Sequence, residues 1–180
     1  MPDVQHQRST TDKRRALFGM IAIALAALTL TYMLSTPAVA ATRKSGPTSL
    51  TVTPTKNLSS SGATVRVSGK GFNPRVGIYV ALCVTPSKNS RVAPGPCGGG
   101  VNLEGTNPAS AWISSNPPGY GKTLATPFTA GGKFSVRISV SPLIGDVDCR
   151  VTSCSIVTRA DHTRSFDRQS DLFVPVKFAK

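Results

Sequence analysis

Carboxylates are scarce in this sequence. Eight Asp and Glu stand against 21 Lys and Arg among 180 residues, a formal net charge of +13. Histidine is scarcer still: there are two, and only His162 lies beyond residue 40. These shortages exclude several chemistries. Glu104 and Asp148 lack a partner placed for glycoside hydrolysis, which needs two carboxyl groups flanking the scissile bond. A single histidine among scattered carboxylates makes no metal site. Asp161-His162 invites comparison with a hydrolase triad, but sequence neighbours on a strand point apart. No G-x-S-x-G elbow accompanies them, so a solvated hairpin histidine is expected. Gly98-Gly99-Gly100 is followed by neither Lys-Ser/Thr nor a helical pattern, which excludes a phosphate loop. The chain reads as non-enzymatic, and no cofactor is expected.

What is present begins with an export signal. Lys13, Arg14 and Arg15 precede an uncharged run from Ala16 to Leu34, then Pro37 and Ala38-Val39-Ala40. A basic region, an apolar core and an A-x-A site describe a secretory signal peptide over residues 1–40, with cleavage after Ala40. The apolar run is about 19 residues, long enough to span a bilayer, so an uncleaved, membrane-anchored form is the alternative. Removing residues 1–40 takes away four basic and two acidic side chains, leaving +11 on an exported domain. Such a charge draws anionic polymers: wall polymer, anionic lipid, nucleic acid or acidic glycan. It also serves simply to keep a secreted domain soluble. No run of five Lys and Arg concentrates it.

Four cysteines remain after export: Cys83, Cys97, Cys149 and Cys154. Three pairings are open to them. Cys83–Cys97 and Cys149–Cys154 are favoured because each pair brackets a turn-rich segment. Loop closure then contributes roughly 3 kcal/mol for the longer loop and roughly 2 for the shorter. Zinc is the competing reading, but the spacing is not that of a zinc knuckle and export favours oxidation.

Residues 41–47 read as a flexible leader. Period-two alternation then recurs in short runs bounded by Gly, Pro and Ser, the mark of strands with one buried face. It appears around Leu50 and Val52, around Val65 and Val67, over residues 78–84, and most clearly at Phe134, Val136, Ile138 and Val140. Residues 155–158 follow the Cys149–Cys154 turn, and Val174, Val176 and Phe178 share one face of a last strand. Pro175 cannot donate to a ladder and so belongs at an edge or bulge. Between Thr85 and Thr129, breakers are dense, leaving room for short strands at 111–113 and 124–128. Trp112, the only tryptophan, lies there with Tyr120 and either plugs the core edge or walls a ligand site. About seven strands and no amphipathic helix give an all-β fold, a sandwich in preference to a barrel. Arg66, Lys133 and Arg137 fall on the polar phase, so one sheet face is expected to be basic.

Two sets of motifs resemble a known family. Val52-Thr53-Pro54, Leu58-Ser59 and Val65-x-Val67-x-Gly69-x-Gly71 leading to Cys83 resemble the amino-terminal half of neocarzinostatin-type apoproteins. Val147-Asp148-Cys149, Cys154 and the closing Val174-x-Val176-x-Phe178 resemble the carboxy-terminal half. The likeness covers most of residues 48–180, apart from about 98–128, which reads as an insertion. It implies a seven-stranded immunoglobulin-like Greek-key sandwich from an actinobacterium, with the disulfide pairing favoured above. Family members are secreted antibiotic chromoproteins: non-enzymatic carriers of an enediyne chromophore whose release cleaves DNA. By position, Cys83 and Cys97 would sit near the floor of the ligand cleft, with Ser155, Val157 and Arg159 along the following strand. This chain departs from the family in reading Ser155-Ile156-Val157 where Gln-Val-Gly is usual, and in being basic rather than acidic. Valine in place of glycine fills roughly three carbons' worth of the expected cleft.

Two functional expectations follow. One is a secreted carrier holding a small aromatic or polyketide-like ligand non-covalently against Cys83, Cys97, Trp112, Ser155, Val157 and Arg159. The other is a basic cell-wall or cell-surface module without a small-molecule cargo, docked on anionic polymer or a surface partner. Direct nucleic-acid binding is permitted by charge, but basic residues interleaved with aromatics are not evident. Membrane contact is expected only if the signal segment is retained.

Overall fold

The computed structural model describes residues 38–87, 92–99 and 109–180. Most of the expected signal segment, and residues 100–108 of the expected insertion with Glu104 among them, lie outside that set. Eleven short strands build the domain: β1 (Ala41–Ser45), β2 (Thr48–Thr53), β3 (Ala63–Lys70), β4 (Ile78–Val84), β5 (Ser110–Ile113), β6 (Ala125–Thr126), β7 (Phe134–Val140), β8 (Leu143–Ile144), β9 (Val147–Asp148), β10 (Cys154–Ala160) and β11 (Leu172–Pro175). One sheet has the order β1-β2-β3-β7 and the other β11-β10-β4-β5-β6, with β8-β9 a small separate hairpin. The chain crosses from the first sheet to the second after β3, returns at β7 and crosses again to β10, a Greek-key path.

Alternation builds the first sheet. In β3, Val65 and Val67 are fully buried while Thr64 and Arg66 are exposed. They meet Ile138 and Val136 of β7 in register, and Val52 of β2 pairs with Val67. These side chains face Ile78, Val80, Leu82, Ile113, Ile156 and Val174 of the second sheet to form the core. Each such buried aliphatic side chain contributes about 2 kcal/mol through its removal from water. Phe72, Phe128 and Phe134 close one end, with the Phe72 and Phe134 ring centroids 5.4 Å apart. The Phe134 ring lies across Gly69, where a Cβ would meet it at 2.2 Å.

Two regions differ from the sequence expectation. Residues 41–47 are no flexible leader: β1 pairs antiparallel with β2 over five positions, from Ala41 opposite Val52 to Ser45 opposite Thr48. Its composition shows no apolar phase because it is an edge strand, with Arg43 and Lys44 keeping that edge charged. The pairing reaches upstream of the expected cleavage point, since Val39 O accepts from both the backbone N–H and the hydroxyl of Thr55. The second region is the expected insertion at 98–128. Its described residues from 109 onward complete the second sheet, with β5 antiparallel to β4 and β6 parallel to β5. Pro175 ends β11, an edge strand of its sheet, as its missing N–H requires.

Candidate functional site

β4 and β10 break the alternation. Ile78-Tyr-Val-Ala-Leu-Cys-Val84 and Ser155-Ile-Val-Thr158 place apolar groups on both phases, the pattern of strands covered on both faces. The inward phase fills the core. On the outward phase the register sets Ser155 between Cys83 and Pro175, Val157 between Ala81 and Phe173, and Arg159 beside Tyr79. β5 then adds Trp112 opposite Tyr79. Ala81, Cys83 and Val157 form a second apolar cluster, separate from the core, with Cys97 and Phe173 packed on it.

The Cys83–Cys97 disulfide fastens a loop onto this floor, with the two Cα atoms 4.0 Å apart. Beyond the end of β5, residues 96–98 run alongside β4: Val84 N–H donates to Pro96 O and Gly98 N–H to Leu82 O. Arg159 Nη1 donates to Pro94 O at 3.0 Å, tying the loop to β10. Its Nε is buried and has no hydrogen-bond partner among the described residues. Ser155, fully buried, shares a 2.7 Å hydroxyl pair with Thr85. The second disulfide, Cys149–Cys154, closes the turn that leads into β10.

Trp112 forms the far wall and is 8% exposed. Its indole N–H donates to Asp161 Oδ2 at 2.9 Å, and Asp161 Oδ1 accepts from the backbone N–H and hydroxyl of Thr163. Gly77 and Gly121 make the seat possible: a Cβ at the first would lie 1.9 Å from Asp161 Oδ2, and at the second 2.4 Å from the Trp112 ring. Asp161 is engaged by Trp112 and Thr163 and His162 by two tyrosines, with no hydrogen bond between them among the described residues, so no triad forms. His162 is exposed, but not merely solvated as expected. Its Nδ1 lies 2.5 Å from the Tyr79 hydroxyl and its Nε2 2.6 Å from that of Tyr120. A neutral imidazole gives one proton and accepts one, so one tyrosine accepts and the other donates. Burial, with Asp161 nearby as the next cause, raises the Tyr79 phenol above its ordinary value.

All six expected ligand-site residues therefore share one outward face or its disulfide-linked rim. Phe173, Ala81, Tyr79, Asp161 and His162 belong to the same face and were not picked out by sequence. For β4 the signal was there, in the lack of alternation. The Tyr120–His162 contact joins positions 42 apart and left no local trace. Val157 is 1% exposed and Ala81 7%, so side chains fill the floor where the sequence predicted a narrowed cleft. A cavity of about 500 Å³ runs from the Gly62–Ser141 end to Gly98 and Gly99 beside the disulfide loop, and one of about 660 Å³ lies on the other sheet beside Lys70 and Lys133. Asp148, weighed as a catalytic carboxylate, is gripped by the Arg150 guanidinium at 2.8 Å, which holds it below the usual carboxylate range.

Two facing sheets with a disulfide set into the outward floor of one define an immunoglobulin-like β-sandwich. The family model described as the neocarzinostatin family matches residues 50–170. The chain belongs to that family. Among solved structures it is similar to macromomycin, at 23% identity and a TM-score of 0.46, covering 73% of this chain and 99% of that one. No curated protein matches it.

Proposed function

We propose that this protein is an exported, non-enzymatic carrier that holds a small, flat, apolar ligand against the outward face of the five-stranded sheet. The observation that carries this reading is the second apolar cluster, Ala81, Cys83 and Val157 with Cys97 and Phe173. Sandwich strands ordinarily turn polar residues outward, so a second apolar cluster outside the core supports a binding surface, whose accessible part is the half-buried margin at Cys97 and Phe173. Family membership supports the same reading. Arg159 supplies one unused donor, its buried Nε, at the margin of the floor, and Trp112 supplies an aromatic wall. Both disulfides are formed, which suits an oxidising compartment outside the cytosol.

Val157 sets the size of the cargo. Its side chain stands between Ala81 and Phe173, so the ligand is thinner than one that would fit above a glycine there. The test is Trp112 fluorescence titrated with a graded series of neutral fused-ring aromatics, in wild type and Val157→Gly. Saturable quenching by the smaller rings, with larger rings admitted by the glycine variant, supports the reading. Absence of saturable binding in both proteins overturns it.

A further inference from the structure

The outward face of the other sheet has a different chemistry. Its registers place Thr53, Arg66 and Arg137 in one row, Thr51, Ser68 and Ser135 in the next, and Lys44, Ser49 and Lys70 in a third. Lys133 lies immediately ahead of β7. Every outward side chain in these rows is a hydroxyl or a cation. β1, β2, β3 and β7 contain no Asp or Glu. The shortage of carboxylates is also uneven along the chain, since none occurs between residues 41 and 103.

Arg66 and Arg137 are direct cross-strand partners, and both are exposed. Like charges placed opposite one another on a sheet destabilise it. The two ion pairs among the described residues, Arg150–Asp148 and Arg168–Asp171, leave both arginines without an acidic neighbour. A bound anion would turn this repulsion into a clamp. Next to the pair, the groove of about 660 Å³ carries Lys70 and Lys133 with Thr51, Ser68 and Ser135 along it, Ser49 buried at its base, and Pro127 and Phe134 on its wall.

The geometry points to a linear, phosphate-bearing polyol polymer as the occupant of this face. The phosphates would sit on the cations, and the polyol hydroxyls would exchange hydrogen bonds with the Ser and Thr rows. Phosphate is favoured over carboxylate because its tetrahedral oxygens can accept from two guanidinium forks, whereas one fork already matches a planar carboxylate. Single-stranded nucleic acid is disfavoured because no exposed aromatic ring on these strands offers a stacking platform. A lipid surface is disfavoured because, among the described residues, these strands expose no large apolar side chain to insert, and the groove adds only Pro127. This inference is separate from the carrier reading: it concerns the opposite sheet, and its test leaves Val157 and Trp112 untouched.

The experiment measures binding of the folded protein to synthetic poly(glycerol phosphate), with single-stranded DNA of matched charge and anionic vesicles as the other arms. Binding to the polyol phosphate is expected, falling with a log–log salt slope of about −3 if four to five phosphates are neutralised. The Arg66→Ser/Arg137→Ser variant is expected to bind about tenfold more weakly, the loss of two phosphate contacts. The control Lys56→Ser/Lys180→Ser removes equal charge elsewhere and is expected to change affinity less than threefold at moderate salt. Equal weakening by both variants would reduce the effect to net charge and overturn the inference. So would equal or tighter binding of DNA or vesicles, or no binding to the polymer.

Discussion

The two outward faces of this sandwich follow opposite rules. On the five-stranded sheet, neighbouring strands put Cys83, Ala81, Val157 and Phe173 side by side, and the loop tied by Cys97 folds onto them. On the four-stranded sheet, strict alternation leaves the side chains of Arg66, Arg137 and Lys70 in water, with no acidic ion-pair partner among the described residues. A sandwich needs only its inner faces for stability. The second apolar face is therefore additional to the core, and covalent and hydrogen-bonded ties hold it in shape. The basic face needs none. If that contrast is right, substitutions on the first face should destabilise the protein, and substitutions on the second should be neutral or stabilising.

The largest expected effect is on the loop tie. Replacing Cys83 and Cys97 together by serine should lower unfolding free energy by about 3 kcal/mol, the loop-closure contribution of a ring this size. Urea denaturation reads the loss as a lower midpoint. Arg159 would also lose its anchor at Pro94 O as the loop loosens, so protease cleavage within residues 92–99 should rise in parallel. A double variant as stable as wild type would mean the apolar face holds its loop without the covalent tie.

Next is the tryptophan seat. Asp161 is 2% exposed and accepts from the Trp112 indole, the Thr163 N–H and the Thr163 hydroxyl. Asp161→Ala leaves buried donors unpaired and should cost about 2–3 kcal/mol. Trp112 emission should shift red as the ring loses its packing. Asp161→Asn retains one acceptor and should lose about half as much.

The sheets themselves were legible wherever one face of a strand is buried and the other wet. Val65, Val67, Ile138 and Val140 announced β3 and β7 by period two alone. β1 was not legible, because an edge strand of Ala-Thr-Arg-Lys-Ser is specified by the open edge of β2 and not by its own pattern. β8 and β9 are two residues each, too short for any period to register. At the candidate site, the family likeness and cysteine spacing pointed to the outward face of β4 and β10, where those residues gather. The Asp161 and His162 contacts depend on Trp112, Tyr79 and Tyr120, brought in from distant strands and turns, and no local rule anticipates them.

A smaller effect follows from Asp171, beside the end of β11. Burial raises its carboxyl from 3.8 to about 6, against the opposing pull of Arg168 3.1 Å away. The folded state therefore holds the proton more tightly than the unfolded chain. The stabilisation is full below about pH 4 and is lost as pH climbs through about 6. After allowance for solvent screening and Arg168, about 1 kcal/mol is at stake. The difference in unfolding free energy between wild type and Asp171→Asn, measured from pH 3 to 7, should change through this window and be flat above it. A difference independent of pH would mean that Asp171 titrates as it does in the unfolded chain.

The smallest effect carries the opposite sign and tests the other face. Arg66→Thr removes one member of the like-charged cross-strand pair and introduces a β-branched residue suited to a strand, so it should stabilise by about 0.5 kcal/mol. Arg137→Thr should do the same. The repulsion is a property of the pair, so either single substitution already abolishes it. The double variant should then gain less than the sum of the two, a coupling that a double-mutant cycle reads directly in low salt. Raising the salt should shrink the coupling, because both guanidinium groups are exposed and their repulsion is screened. Additive gains that ignore salt would trace the effect to strand propensity alone and remove the electrostatic difference between the two faces.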